Sequence, residues 1–332
     1  MLQDAANYQV SCFLYATAQV SVPEALLLHS LSRESWDRES NWIGYIAVTS
    51  DQVSQAIGRR EIYVAWRGHT TTNYEWVNVL GAELESAASL LRPDPTSAKD
   101  QTDGGLMRGW LSMYTSDDPK SPFTKLSARD QIRAKINDLR KKYKNENLSI
   151  SVTGHSLGAS LAILSAFDLV ENGVSDIPVA AFVFGSPQVG NKAFKARIEK
   201  YPNLKILHTR NTIDLIPLYP SPLLGYVDVG TELVIDSRKS PFLKESKDAG
   251  DWHNLQGMLH VVAGWNGEEG EFKLRVKRSV ALVNKSSNFL KKECFVPASW
   301  WVEKNKGMVL DESSGEWVLA PPSDEDLPVP EF

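Results

Sequence analysis

Gly154-His155-Ser156-Leu157-Gly158 sets a serine between two glycines in the pattern G-x-S-x-G. A strand-like run, 148–153, precedes it and a helix-like run from Leu157 to Val170 follows. In that context the serine occupies a sharp, strained strand-to-helix turn that lifts Oγ clear of a sheet. The glycines stand where a Cβ would strike the neighbouring strand and helix. The Leu157 N–H then lies at a helix N-terminus, suited to holding an oxyanion. This is acyl-transfer chemistry, with Ser156 as nucleophile and Leu157 as one oxyanion donor; a tight connection with an idle serine is the competing reading.

A serine hydroxyl needs a base, and the base needs a carboxylate to fix its tautomer. The chain order that goes with this turn is Ser, then acid, then His, which restricts the base to His208, His253 and His260. His208 falls inside the strand-like run 204–209 and ahead of the best acid, so it reads as a core histidine. That acid is Asp214, in Arg210-Asn-Thr-Ile-Asp-Leu-Ile-Pro217, just past the end of a strand, where working residues of open α/β sheets gather. Asp168 lies inside a helix, and Asp236, Asp248 and Asp251 crowd the histidines in sequence. His253 and His260 are two helical turns apart and share one predicted helix face. His253, at the helix start, is preferred; His260, beside Val261 and Val262, reads as packed.

The elements that must position these groups alternate. Strands are expected at Tyr8–Leu14, Trp42–Thr49, Ile62–Trp66, Leu148–Thr153, Val179–Phe184 and Leu204–Thr209, with helices over 127–144, 157–170 and 192–200. Residues 92–105 read as a loop. Such alternation predicts a mostly parallel sheet covered on both faces. One α/β domain is expected over 1–284, followed by an irregular extension over 285–332.

With 332 residues, 42% of them hydrophobic and 23% charged, the chain can build a substantial core. Seven of its 41 acids lie from Asp311 onward, where there is no Lys or Arg, so the body is close to charge balance. That gives no basic field for nucleic acid. Cys12 and Cys294 lack metal-ligand spacing and favour a reducing compartment, with one bridge between them left open. No apolar run approaches the roughly 18 residues of a membrane span. The first residues lack a secretory pattern, and the chain as written reads as cytoplasmic.

Four stretches together resemble the class 3 lipase family, and within it the plant phospholipases A1 of class II, related to chloroplast acylhydrolases. They are Val64-Ala-Trp-Arg-Gly68, Thr153-Gly-His-Ser-Leu-Gly-Ala159, Phe184-Gly-Ser-Pro-Gln-Val-Gly-Asn191 and Trp252-His-Asn-Leu255. The resemblance implies an α/β-hydrolase fold, an acyl-ester intermediate on Ser156, Asp214 as the acid and His253 as the base. It implies a second oxyanion donor after Arg67-Gly68. The loop up to Glu75-Trp76 is one residue longer than the family pattern, so the donor is His69 or Thr70. Tyr74, Trp76, Val77 and Leu80 then fall on the family's lid, at the spacing of one face of a short helix. A Trp on a core-facing helix is the alternative. Family members carry some tens of helical residues ahead of the position of Asn7, at times with a plastid transit peptide; a plastid location is expected if such a segment precedes this chain.

The implied activity is a serine acylhydrolase cleaving carboxylic ester bonds of glycerolipids, above all the sn-1 acyl ester of phospholipids, with no cofactor and no metal. The implied partner is a phospholipid or other glycerolipid, met by peripheral membrane contact. Arg129, Arg133, Lys135, Arg140, Lys141, Lys142 and Lys144 suit an anionic membrane surface or a solvated helix face. The alternatives are a galactolipase, triacylglycerol lipase, thioesterase or acyltransferase with the same triad, or a catalytically silent lipid- or partner-binding module.

Overall fold

Ile62, Val64 and Trp66 are buried and the residues between them half-buried, the period of two of a strand inside a sheet. The computed structural model describes residues 7–17, 41–68, 82–92, 104–301 and 307–320. Its strands are β1 Tyr8–Ala16, β2 Asn41–Thr49, β3 Arg60–Trp66, β4 Leu84–Ser86, β5 Gly105–Met107, β6 Leu148–His155, β7 Val179–Phe184, β8 Gly190–Asn191, β9 Leu204–Asn211, β10 Tyr226–Val227, β11 Thr231–Ile235, β12 Met308–Asp311 and β13 Glu316–Leu319. The central sheet runs β1-β2-β3-β6-β7-β9-β11, with β1, β2 and β3 antiparallel in turn and β3, β6 and β7 parallel. A small sheet, β10-β8-β5-β4, and the hairpin β12-β13 complete the strands. The six strands read from the sequence, and the helices expected over 127–144, 157–170 and 192–200, are present within a few residues of those bounds.

The chain forms two compact units, Met1–His208 with Ile216–Leu233 and Thr209–Leu215 with Val234–Phe332. The first is organised around the helix Leu157–Glu171, every residue of which is buried. An apolar helix of that kind belongs in a core. It is nonetheless crossed by two carboxylates, each matched. Asp168 receives Arg129 (2.8 Å), Tyr114 Oη (3.0 Å) and Asn172 Nδ2 (2.7 Å). Glu171 receives Arg197 (2.7 Å), the Arg92 N–H (2.9 Å) and Tyr201 Oη (2.5 Å). Burial alone would raise the Glu171 carboxyl; Arg197, Tyr201 and the Arg92 N–H outweigh it and hold the group below its ordinary value.

The helix Ala128–Lys142 starts where Ser127 Oγ accepts the Asp130 N–H, and it buries Ile132, Ile136 and Leu139. Of its basic residues, Arg129 is spent on Asp168 and Arg140 on Asp176. A helix at Arg108–Thr115, burying Trp110, Met113 and Tyr114, was not legible in the sequence pattern.

In the second unit, Asn284 is buried; its Oδ1 accepts the N–H groups of Phe289 and Leu290, and its Nδ2 donates to Val296 O. The boundary expected after residue 284 therefore lies inside this unit, with one amide binding both sides of it. Trp300, buried, donates to Ala281 O and stacks on Trp317.

Candidate active site

β6 ends at His155 and the helix begins at Leu157, so Ser156 alone makes the turn, at φ 58° and ψ −128°. Holding a residue with a side chain there costs about 1–3 kcal/mol and requires surroundings that over-determine it. Those surroundings are backbone. The Ser156 N–H donates to Phe184 O (3.0 Å), at the end of β7, and Ser156 O accepts the Ala159 N–H (2.9 Å). A Cβ on Gly154 would lie 2.1 Å from Gly158 O, and one on Gly158 would lie 2.6 Å from the carbonyl oxygens of both Trp66 and Arg67. Both glycines of the motif are therefore obligatory, as the sequence pattern predicts. Leu157 is the first residue of the helix, where N–H groups have no intrahelical acceptor.

Arg67 is anchored at the carboxyl end of β3: its N–H donates to Ile43 O (2.7 Å) and its Nε to Trp42 O (2.9 Å). Burial pulls its guanidinium down to about 10. A Cβ on Gly68 would lie 2.7 Å from His155 O, so the chain leaves β3 packed on the elbow itself. His69, Thr70, Tyr74, Trp76, Val77 and Leu80 lie outside the described residues.

Within the second unit, Asp214 follows β9 in a turn closed by its own N–H to Asn211 O (3.0 Å) and by the Thr212 N–H to Ile235 O (2.8 Å). Asn211 is the residue that sequence reasoning missed. Its buried amide donates to Ser237 Oγ (3.0 Å) and Trp252 O (2.9 Å) and accepts the Ser237 N–H (3.1 Å), tying the turn of Asp214 to the residue before His253. The only hint was a polar residue at the end of an apolar strand.

His253 closes a short helix, Ala249–Trp252, through its N–H to Ala249 O (3.0 Å). The next helix, Leu255–Gly264, is capped by Asn254, which accepts the Gly257 N–H (3.0 Å). The single helix predicted across both histidines is thus broken between Trp252 and Leu255, because the Asn254 side chain supplies an N-cap. His253 Nδ1 lies 2.5 Å from Asp214 Oδ2, and both side chains are buried. A carboxylate on Nδ1 fixes the tautomer and makes Nε2 the nitrogen that exchanges a proton.

His260 is packed, as its apolar neighbours predict. It packs against the rings of Phe242 and Phe272, with Nε2 2.8 Å from Ser240 Oγ; burial, with help from Arg278, pulls it down to about 4. His208 is buried in β9 and its Nε2 accepts the Ser186 N–H (3.0 Å). Among the described residues, His208, Asp228 and Glu232 bring potential metal-ligand atoms within 4.8 Å of one another. The bond from Ser186 places the ring proton on Nδ1, so recruiting this imidazole would cost either that bond or that proton. The donor set does not suit a cation. An open groove of about 1090 Å³, lined by Arg59, Arg140, Lys141 and Lys144, lies at the amino ends of β3 and β6, the opposite end of the strands from Ser156.

The class 3 lipase model matches residues 63–223. Phospholipase A1-IIdelta of Arabidopsis thaliana is 61% identical over 347 residues, covering 100% of this chain and 83% of that protein. Phospholipase A1-II 5 of Oryza sativa subsp. indica is 55% identical over 332 residues, covering 98% of this chain and 70% of that protein. The chain belongs to the class 3 lipases, in the phospholipase A1-II group. A triacylglyceride lipase of Rhizomucor miehei aligns at 18% identity and TM-score 0.45, over 69% of this chain and 67% of that one. The class 3 lipase match holds Arg67, Gly68, Ser156 and Asp214, and His253 lies beyond it.

Proposed function

We propose that the protein is a serine acylhydrolase that cleaves carboxylic ester bonds of glycerolipids, with the sn-1 acyl ester of phospholipids as its target. The observation that carries this reading is Ser156 held at positive φ on a one-residue turn directly ahead of a helix. The buried His253–Asp214 pair and the phospholipase A1 relatives support it.

Ser156 Oγ attacks the acyl carbonyl while His253 Nε2 takes its proton, and Asp214 steadies the imidazolium. The N–H of Leu157 and that of His69 or Thr70 hold the oxyanion. The C–O bond to the glycerol breaks, His253 returns the proton to the departing lysolipid, and water then releases the fatty acid from Ser156 by the same steps in reverse order. Tyr74, Trp76 and Leu80 serve as an apolar lid over the acyl group. Every proton in this scheme moves among Ser156, His253, the departing lysolipid and the attacking water.

A fluorophosphonate probe tests the nucleophile: it is expected to label Ser156, with no label on Ser156→Ala. Products from a mixed panel of phosphatidylcholine, galactolipid and triacylglycerol test the substrate. Lysophospholipid retaining the sn-2 chain is expected, and release from galactolipid alone would replace the phospholipid assignment.

A further inference from the structure

From Leu215 to Val227 the chain reads Leu-Ile-Pro-Leu-Tyr-Pro-Ser-Pro-Leu-Leu-Gly-Tyr-Val, without a charged residue. All four of its leucines face solvent: Leu215 at 62% exposure, Leu218 and Leu224 at 53% and Leu223 at 96%. Single exposed leucines are ordinary, but an almost bare leucine at the crown of a fixed, uncharged loop is not.

The loop is fixed along its length. The Tyr219 N–H donates to Ile216 O (3.0 Å), and Tyr219 O accepts the Gln188 N–H (2.7 Å). Ser221 Oγ accepts the Leu223 N–H (3.2 Å), Ser221 O the Leu224 N–H (3.0 Å) and Pro222 O the Gly225 N–H (3.0 Å). Tyr226 Oη then donates to Ala82 O (3.0 Å). The leucines are therefore held out, with no local collapse available to hide them.

Its place in the first unit supplies the reason. Gln188, which binds Tyr219, follows the carboxyl end of β7, and Phe184 at that same end accepts the Ser156 N–H. The loop and the elbow share one edge of the sheet. Leu84, also exposed, lies against Gly225 and extends the apolar surface.

We infer that Leu218, Leu223 and Leu224 dock the protein onto a lipid surface, immersing their side chains among acyl chains beside Ser156. This rests on the glycerolipid reading above, since only a substrate that resides in a bilayer calls for such a contact. The absence of charge along the loop matches a zwitterionic headgroup layer rather than an anionic one, and makes the contact insensitive to salt.

The test is cosedimentation of full-length Ser156→Ala protein with phosphatidylcholine vesicles, so that the lipid is not consumed. Adding Leu223→Ser and Leu224→Ser is expected to weaken partition about tenfold or more, the scale of two exposed leucines denied burial. Ile57→Ser, at an exposed position before the amino end of β3, is expected to keep it. Leu223→Trp is expected to strengthen it, since indole favours the interface. Thermal melts establish that each variant is folded. Parent-like binding by the double serine variant, an equal loss in Ile57→Ser, no gain with Leu223→Trp, or binding that salt abolishes would each overturn the docking surface, as would a parent that does not bind. Failure of Ser156 to react with fluorophosphonate would sink the hydrolase reading and leave the vesicle result standing as a separate answer.

Discussion

His253 Nδ1 sits 2.5 Å from Asp214 Oδ2, across 39 residues of sequence and out of contact with bulk water. The contact commits the imidazole to one tautomer. Asp214→Asn preserves shape but offers an N–H where an acceptor is needed, so kcat on a soluble ester is expected to fall about 10⁴-fold with little change in Tm. His253→Ala is expected to reduce turnover at least as far, whereas His260→Ala should retain the chemistry in whatever fraction remains folded. Activity lost with His260 and kept without His253 would reverse the assignment.

His260 makes a stability prediction of its own. Folded, it takes a proton only near pH 4; unfolded, near 6.5. Between those values the unfolded chain binds more protons, so this group's contribution is complete above 6.5 and drains away as the pH falls towards 4. The loss is roughly 3 kcal/mol. Urea midpoints at pH 7 and 4.5 check it: the drop between them should be smaller in His260→Gln than in the wild-type protein, and equal drops would refute it.

Arg129 and Asp168 form a largely buried pair. Arg129→Met strands a carboxylate that is wholly buried, and a loss of about 3–5 kcal/mol is expected in urea unfolding. Following it with Asp168→Leu should recover part of that loss, because the uncompensated charge is gone. Additive losses in the double variant would show that packing, rather than charge, governs the site.

Gly158→Ala puts a methyl group 2.6 Å from two carbonyl oxygens of β3 and the residue after it, atoms that cannot rotate aside. It is expected to destabilise the protein by about 3 kcal/mol and to slow fluorophosphonate labelling of the folded fraction. Wild-type labelling and Tm together would mean that the strand end yields more readily than its hydrogen bonds imply.

The elbow was legible because everything that defines it is local: strand, glycines, serine and helix fall within 148–171. Asp214 was legible for a similar reason, as the first acid past an apolar strand. Asn211 was not, since its role depends on Ser237 and Trp252, which are 26 and 41 residues away. The helix break at His253 was hidden because the apolar periodicity runs on through Leu255 and Leu259, and only the competition from the Asn254 cap interrupts it. The helix Arg108–Thr115 carries Trp110, Leu111, Met113 and Tyr114 at the spacing of one helix face, but at eight residues it is too short for that pattern to stand out. Arg129 and Arg140 read as a solvated helix face ahead of a membrane-seeking one; their acids, Asp168 and Asp176, come from elsewhere in the chain, and no spacing rule joins them.

Gly158 resting on the carbonyls of Trp66 and Arg67 makes the takeoff point of the stretch that begins at His69 part of the same rigid block as Ser156. A designer can therefore transplant residues 71–81 from a relative, leaving the oxyanion positions His69 and Thr70 and the reactive turn as they stand. Changes in which fats are accepted and changes in how quickly they are cut become separable engineering problems.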